Sequence, residues 1–166
     1  MAFDQVVHGR QDDFEARHGD RGRFTFAKHV VVPKEGTQLQ VSFMEIPPGQ
    51  SAYPYHWHAG VTEAYVILSG TGRVRTPGAE FDIGPGEVVV FPPGPAGAHR
   101  MTATGGEPLR YVDLDTTSEQ DVIGYPDSRK TMAYTTARPT MLFRDDDAVD
   151  YYDGEPDAGR DERDGV

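Results

Sequence analysis

Cysteine is absent from the 166 residues. That excludes disulfide staples, thiolate metal sites and a cysteine nucleophile, and it fits a reducing compartment, so the expected location is the cytoplasm. Lysine is nearly absent, confined to Lys28, Lys34 and Lys130, and the remaining cations are arginines. With 27 acidic against 16 basic residues the formal net charge is −11. A surface of that sign repels phosphates, so no nucleic-acid partner is expected. Its Asp-rich, Lys-poor character is also expected to suit high intracellular salt, as in a halophile. No apolar run reaches membrane-span length, and "MAFDQVVHGRQDDFEARHGDRGR" holds none of signal-peptide length, so no membrane partner is expected. There is no G-x-S-x-G, no phosphate-cradling glycine loop and no repeat of solenoid length.

What the chain has instead is Gly (19) and Pro (13), spread as punctuation between short runs of β-branched and aromatic residues. "RFTFAKHVVVP" (23–33) and "QLQVSFMEIPPG" (38–49) read as strands. From residue 63 to 116, "EAYVILSG", "GRVRTPG", "EFDIGPG", "EVVVFPPG", "HRMTATGG" and "LRYVDLD" follow with turn signals between them. That spacing predicts an all-β sandwich or barrel in one domain. Residues 1–22 read as a polar N-terminal arm with a helical turn near "DDFEAR", and 23–116 as the barrel. Residues 117–153 read as a C-terminal extension docking on the barrel, with "LFRDDDAVDYYDGE" a solvated acidic loop docked by Phe143 and Tyr151, and 154–166 as a disordered acidic tail. Arg73 and Arg75 are expected to face solvent while Val74 points inward.

The stretch "YPYHWHAGVTEAYVILSG" (53–70) carries the chemistry. Residues two apart on a strand share a face, so His56 and His58 converge while Trp57 turns away to pack under a neighbouring segment. Glu63 opens the next strand after the short loop "AGVT" and can fold back beside them. Imidazole with carboxylate suits Fe, Mn, Zn, Ni or Cu as the divalent ion. His99, after a strand and a Pro/Gly-rich loop, is a fourth candidate ligand. His8 and His18 in the arm and His29 in an early strand read as surface or core imidazoles. Tyr65 and Ile67 share the face of Glu63, and Met101 stands near His99, so these three are the candidate cavity-lining residues.

This pattern resembles the cupin superfamily, whose first motif is G-x5-H-x-H-x3,4-E-x6-G. Here Gly49, His56, His58, Glu63 and Gly70 follow it, with six residues rather than five before His56. The second motif, G-x5-P-x-G-x2-H-x3-N, is matched by Gly86, Pro92, Gly94 and His99, with four residues before the histidine and Ala103 in place of Asn. The resemblance implies a cupin-type antiparallel β-barrel, the double-stranded β-helix or jelly roll. It implies one divalent transition metal (Fe, Mn, Zn or Ni) on His56, His58, Glu63 and His99, and a homodimer whose natural edge is the strands near Val30 and Val41. The expected function is a metal-dependent enzyme, an oxygenase, isomerase, decarboxylase or lyase, taking a small polar or acidic molecule. Sugar-phosphate isomerase is a label used in the similar subgroup, and no catalytic residue is assigned. The alternative is a non-catalytic small-molecule-binding or regulatory module.

Overall fold

The computed structural model describes residues 5–156, and the acidic tail foreseen at 154–166 lies mostly outside them. Among the described residues a 3-10 turn at Gln11–Asp13 is followed by thirteen strands. They are β1 (Ala16–Arg21), β2 (Phe24–Val32), β3 (Leu39–Ile46), β4 (Trp57–His58), β5 (Glu63–Ser69), β6 (Gly72–Arg75) and β7 (Glu80–Ile83). Then come β8 (Val88–Phe91), β9 (Arg100–Ala103), β10 (Leu109–Thr116), β11 (Gln120–Tyr125), β12 (Lys130–Thr135) and β13 (Arg138–Arg144). Every run read as a strand between residues 23 and 116 is one, because alternation and Gly/Pro stops act locally.

One sheet runs β1-β2-β3-β10-β5-β8 and faces a second, β7-β6-β9. The inward residues of the two sheets make the core: Met44 and Ile46 from β3, Tyr65 and Ile67 from β5, Val74 from β6, Met101 from β9, Leu109 and Tyr111 from β10. Alternation sets this register: on β6 Val74 is fully buried while Arg73 faces solvent and Arg75 is half-exposed. A third sheet, β13-β12-β11-β4, is built from the C-terminal extension and returns to the two-residue strand that carries His58.

Three features differ from the sequence reading. Ala16–Arg21, read as part of the arm, is an edge strand paired along its length with β2. Its alternating charges hide it from a hydrophobic-pattern search, and Gly19 admits the Phe26 ring where a Cβ would lie 2.2 Å from it. Consequently Val30 and Val41 do not form a sheet edge: β2 and β3 are interior, and the sheet's free edges are β1 and β8. Finally, Phe143 and Tyr151 do not dock the extension, being 51% and 86% exposed. The extension is attached instead through the backbone of β11, with Ile123 paired to His58 and Gly124 to Trp57. Gly124 is the one residue type that fits there, since a Cβ would meet the Trp57 indole at 2.3 Å. Trp57 thus turns away from the barrel and packs under β11.

Candidate metal centre

Two loops deliver the imidazoles. The segment before β4 and the turn before β9 meet in an isolated bridge, with His56 N donating to His99 O at 3.1 Å and His99 N donating to His56 O at 2.8 Å. The four residues between Gly94 and His99 are taken up by a tight 3-10 turn at Pro95–Gly97. Gly97 is obligatory in it, because a Cβ would sit 1.8 Å from the Pro92 carbonyl oxygen. The turn therefore returns His99 to the barrel wall despite its length.

His56, Glu63 and His99 are all buried, and their donor atoms lie within 4.8 Å of one another, a group that could hold a metal ion. His58 stands beside this group, its Nε2 3.8 Å from Glu63 Oε1. His99 Nε2 is 3.4 Å from Glu63 Oε2. Each imidazole is pinned from behind. His56 Nδ1 faces the Pro54 carbonyl at 2.9 Å, His99 Nδ1 faces the Gly97 carbonyl at 3.0 Å, and His58 Nδ1 faces Asp121 Oδ2 at 2.5 Å. A ring nitrogen facing a carbonyl or carboxylate oxygen carries the proton, which leaves Nε2 of all three rings as a lone pair. His99 is further fixed by stacking on Phe91, with centroids 3.7 Å apart, and His56 has Tyr125 parallel to it at 6.0 Å.

The electrostatics keep the His56 and His99 rings neutral. Burial, followed by the neighbouring His58, lowers His56 to about 4. Burial, followed by His56, lowers His99 to about 3. Burial raises Glu63 to about 7. The Tyr65 hydroxyl donates to Glu63 Oε1 at 3.3 Å and lies 3.1 Å from His99 Nε2, and burial with the nearby Glu63 holds its pKa well above the usual value. Three imidazole lone pairs and the Glu63 carboxyl, itself pushed toward its protonated form, therefore meet beside the Tyr65 hydroxyl. Acceptors so arranged repel one another unless a cation or protons lie among them, so the donor set fits a divalent transition metal.

The adjoining cavity is lined by Ala52, Tyr53, His56, Tyr65, His99, Arg100, Met101 and Tyr111. Tyr65, Ile67 and Met101, the residues expected to line it, all belong to the barrel core, and of the three only Tyr65 and Met101 stand on this cavity. Behind Glu63 is a feature that the sequence reading did not single out. Asp113 and Asp115 on β10 point to the same interior as Tyr111, and Lys28 from β2 meets Asp113 at 2.8 Å. Burial works against the Lys28 ammonium, but Asp113, Tyr53 and Asp115 outweigh it and raise its pKa. Burial, then Asp113 and Glu63, pushes the Asp115 carboxyl above its usual range, while Lys28 opposes the rise. Two aspartates on the face of Leu109 and Tyr111 were a legible signal, since apolar residues occupy the rest of that face. Asp121 was also missed, and nothing local to it announces a role.

Residues 42–115 match the family model described as a cupin domain. Solved structures agree on the fold. A protein from Acidithiobacillus ferrooxidans, named provisionally as a sugar phosphate isomerase, is 23% identical with a TM-score of 0.73, covering 84% of this chain and 90% of its own. A sugar phosphate isomerase of the cupin superfamily from Silicibacter pomeroyi is 18% identical with a TM-score of 0.72, covering 86% and 95%. A protein from Thermotoga maritima, named a predicted oxalate decarboxylase, is 24% identical with a TM-score of 0.60, covering 69% and 100%. No curated protein matches by sequence. Among the described residues no helix is long and apolar enough to cross a membrane.

Proposed function

With residues 42–115 matching the cupin model on a jelly-roll barrel, the chain belongs to the cupin superfamily, and we propose that it is a metal-dependent enzyme acting on a small polar or acidic molecule in the barrel cavity. The observation that carries this reading is the donor set itself, with Nδ1 of His56, His58 and His99 each tied to an oxygen and the opposite nitrogens left as lone pairs near Glu63. His56, His58, Glu63 and His99 would hold one Fe, Mn, Zn or Ni ion. Such an ion, when bound with a coordination position free, supplies Lewis-acid polarisation of a carbonyl, carboxylate or hydroxyl.

The chain's own residues then divide the remaining work. The bridge between His56 and His99 fixes two donors relative to each other before any ligand arrives. Phe91, stacked on His99, covers that face of the ring. Tyr65 holds a proton at its hydroxyl, against two of the donors, and its raised pKa makes it a hydrogen-bond donor and not a base. Tyr65 can thus donate a hydrogen bond to an oxygen of a bound molecule, and the reactions open to such a site are isomerisation, decarboxylation and related lyase chemistry, or oxygenation. The names of the structural neighbours, sugar phosphate isomerase and oxalate decarboxylase, fall in those classes.

Elemental mass spectrometry of untagged protein purified without chelators tests the reading. The expected result is about one Fe, Mn, Zn or Ni per chain, falling several-fold in His56→Ala. Protein that holds no metal even after reconstitution would overturn it and leave a metal-free ligand binder.

A further inference from the structure

Two of the three imidazoles lean on carbonyls of their own loops, Pro54 for His56 and Gly97 for His99, each two residues away. His58 has no such local partner. Its Nδ1 meets a carboxylate that comes from 63 residues further along the chain, on the C-terminal extension. We infer that Asp121 is the positioning residue of His58, and that the C-terminal extension is part of the metal centre; this rests on the proposed metal-dependent function.

The side chain of Asp121 is fully buried, and both of its oxygens are engaged. Oδ2 accepts from His58 Nδ1 at 2.5 Å, and Oδ1 accepts from the Gly60 backbone N–H at 2.9 Å. The backbone holds it in register. Ile123 pairs with His58, Gly124 with Trp57, and Ala59 N donates to Val122 O at 2.8 Å. Asp121 thus grips both the imidazole and the loop that follows it. A carboxylate behind an imidazole fixes the ring's tautomer and orientation and makes the opposite nitrogen a better ligand. It also keeps that ring from rotating away when nothing is bound. An asparagine cannot reproduce this, because its single oxygen cannot serve both Gly60 and His58. With the amide NH2 turned to the ring, His58 Nδ1 must become an acceptor, and the proton moves to Nε2, where it blocks the lone pair.

The test is metal affinity and histidine tautomer on the full-length chain. Zn²⁺ and Mn²⁺ dissociation constants are measured by chelator competition for wild type, Asp121→Asn and Asp127→Asn. Asp127 belongs to the same extension and makes a two-point contact with Arg75 at 2.6 and 3.0 Å, but it touches no imidazole. Asp121→Asn is expected to weaken binding by about 10–100-fold, and Asp127→Asn by less than about two-fold, as befits a surface ion pair. In metal-free wild-type protein, ¹⁵N NMR is expected to show His58 protonated at Nδ1, shifting toward Nε2 in Asp121→Asn. Unchanged affinity and tautomer in Asp121→Asn would overturn the inference, as would equal losses in the two variants. If wild type binds neither ion, the metal reading fails, and the tautomer in metal-free protein decides the role of Asp121 alone. The wild-type measurement needs no variant to fold, and a His58 protonated at Nε2 there would refute the assignment.

Discussion

The six-stranded barrel sheet and the C-terminal sheet hold themselves together in different ways, yet both reach the same histidines. The barrel is closed around a continuous interior in which Met44, Ile46, Val74 and Leu109 have no exposed surface. The C-terminal sheet buries little of its own: Val122, Leu142 and Phe143 are 41–55% exposed. It is held by backbone pairing to β4, by Trp57 lying over Gly124, and by the ion pair of Asp127 with Arg75. A region with a thick apolar interior opens only by global unfolding, whereas one held mostly by backbone bonds and an exposed ion pair can open by itself. The site therefore combines donors fixed at the stability of the whole barrel with one donor, His58, whose partner sits on a separable element.

The largest effect should come from the barrel. Lys28→Met leaves Asp113 buried without its ammonium, and stability measured by denaturant unfolding is expected to fall by about 3–5 kcal/mol, with the whole molecule unfolding in one transition. A loss confined to residues 120–144 would break the contrast. A smaller effect is expected in the extension. Gly124→Ala forces a Cβ against the Trp57 indole, at a cost on the order of 1–3 kcal/mol. Hydrogen exchange should speed up at β11 and β12 while the barrel amides stay protected. Uniform acceleration would mean that the two sheets form one cooperative unit.

The smallest effect is that of pH on metal-free protein. His56 and His99 are held below the ordinary imidazole pKa, so their contribution is complete above about 6.5 and is lost as pH falls through the folded values of about 4 and 3. Glu63, held up to about 7, acts in the opposite sense, and its contribution is lost as pH rises from about 4.5 through 7. Asp115 is held up in the same sense as Glu63, so two carboxyls oppose two imidazoles between about pH 6.5 and 4.5, and stability measured by denaturant unfolding is expected to be nearly flat across that window. A stability that rises toward pH 4.5 would show that these rings are not buried as neutral bases.

The same contrast explains what could be read from the sequence. Within the barrel, each strand's face is written in its own alternation. Val74 inward, Arg73 outward, and Tyr65 on the face of Glu63 followed from residues two apart. The His56–His58–Glu63 spacing is equally local. His99 was legible as a ligand type, but its return to the wall depends on a turn whose geometry comes from Gly97 packing on Pro92. The edge strand Ala16–Arg21 escaped because its polar residues follow no hydrophobic alternation. Asp121 escaped for a different reason. Its meeting with His58 depends on which distant strand pairs with a two-residue one, and no periodicity in either segment encodes that choice.

The order in which the chain emerges during synthesis has a consequence for the span between His58 and Asp121. Once Thr116 is available, every strand of the two barrel sheets exists, and all four candidate ligands are in place. A nascent chain at that stage can fold its barrel, since units of this size fold as they are made. It has no carboxylate behind His58 and no Tyr125 ring parallel to His56 until Asp121 and Tyr125 arrive and β11 lies down on β4. The strands of the barrel and the candidate ligands thus emerge first, and the carboxylate that backs His58 arrives only with β11.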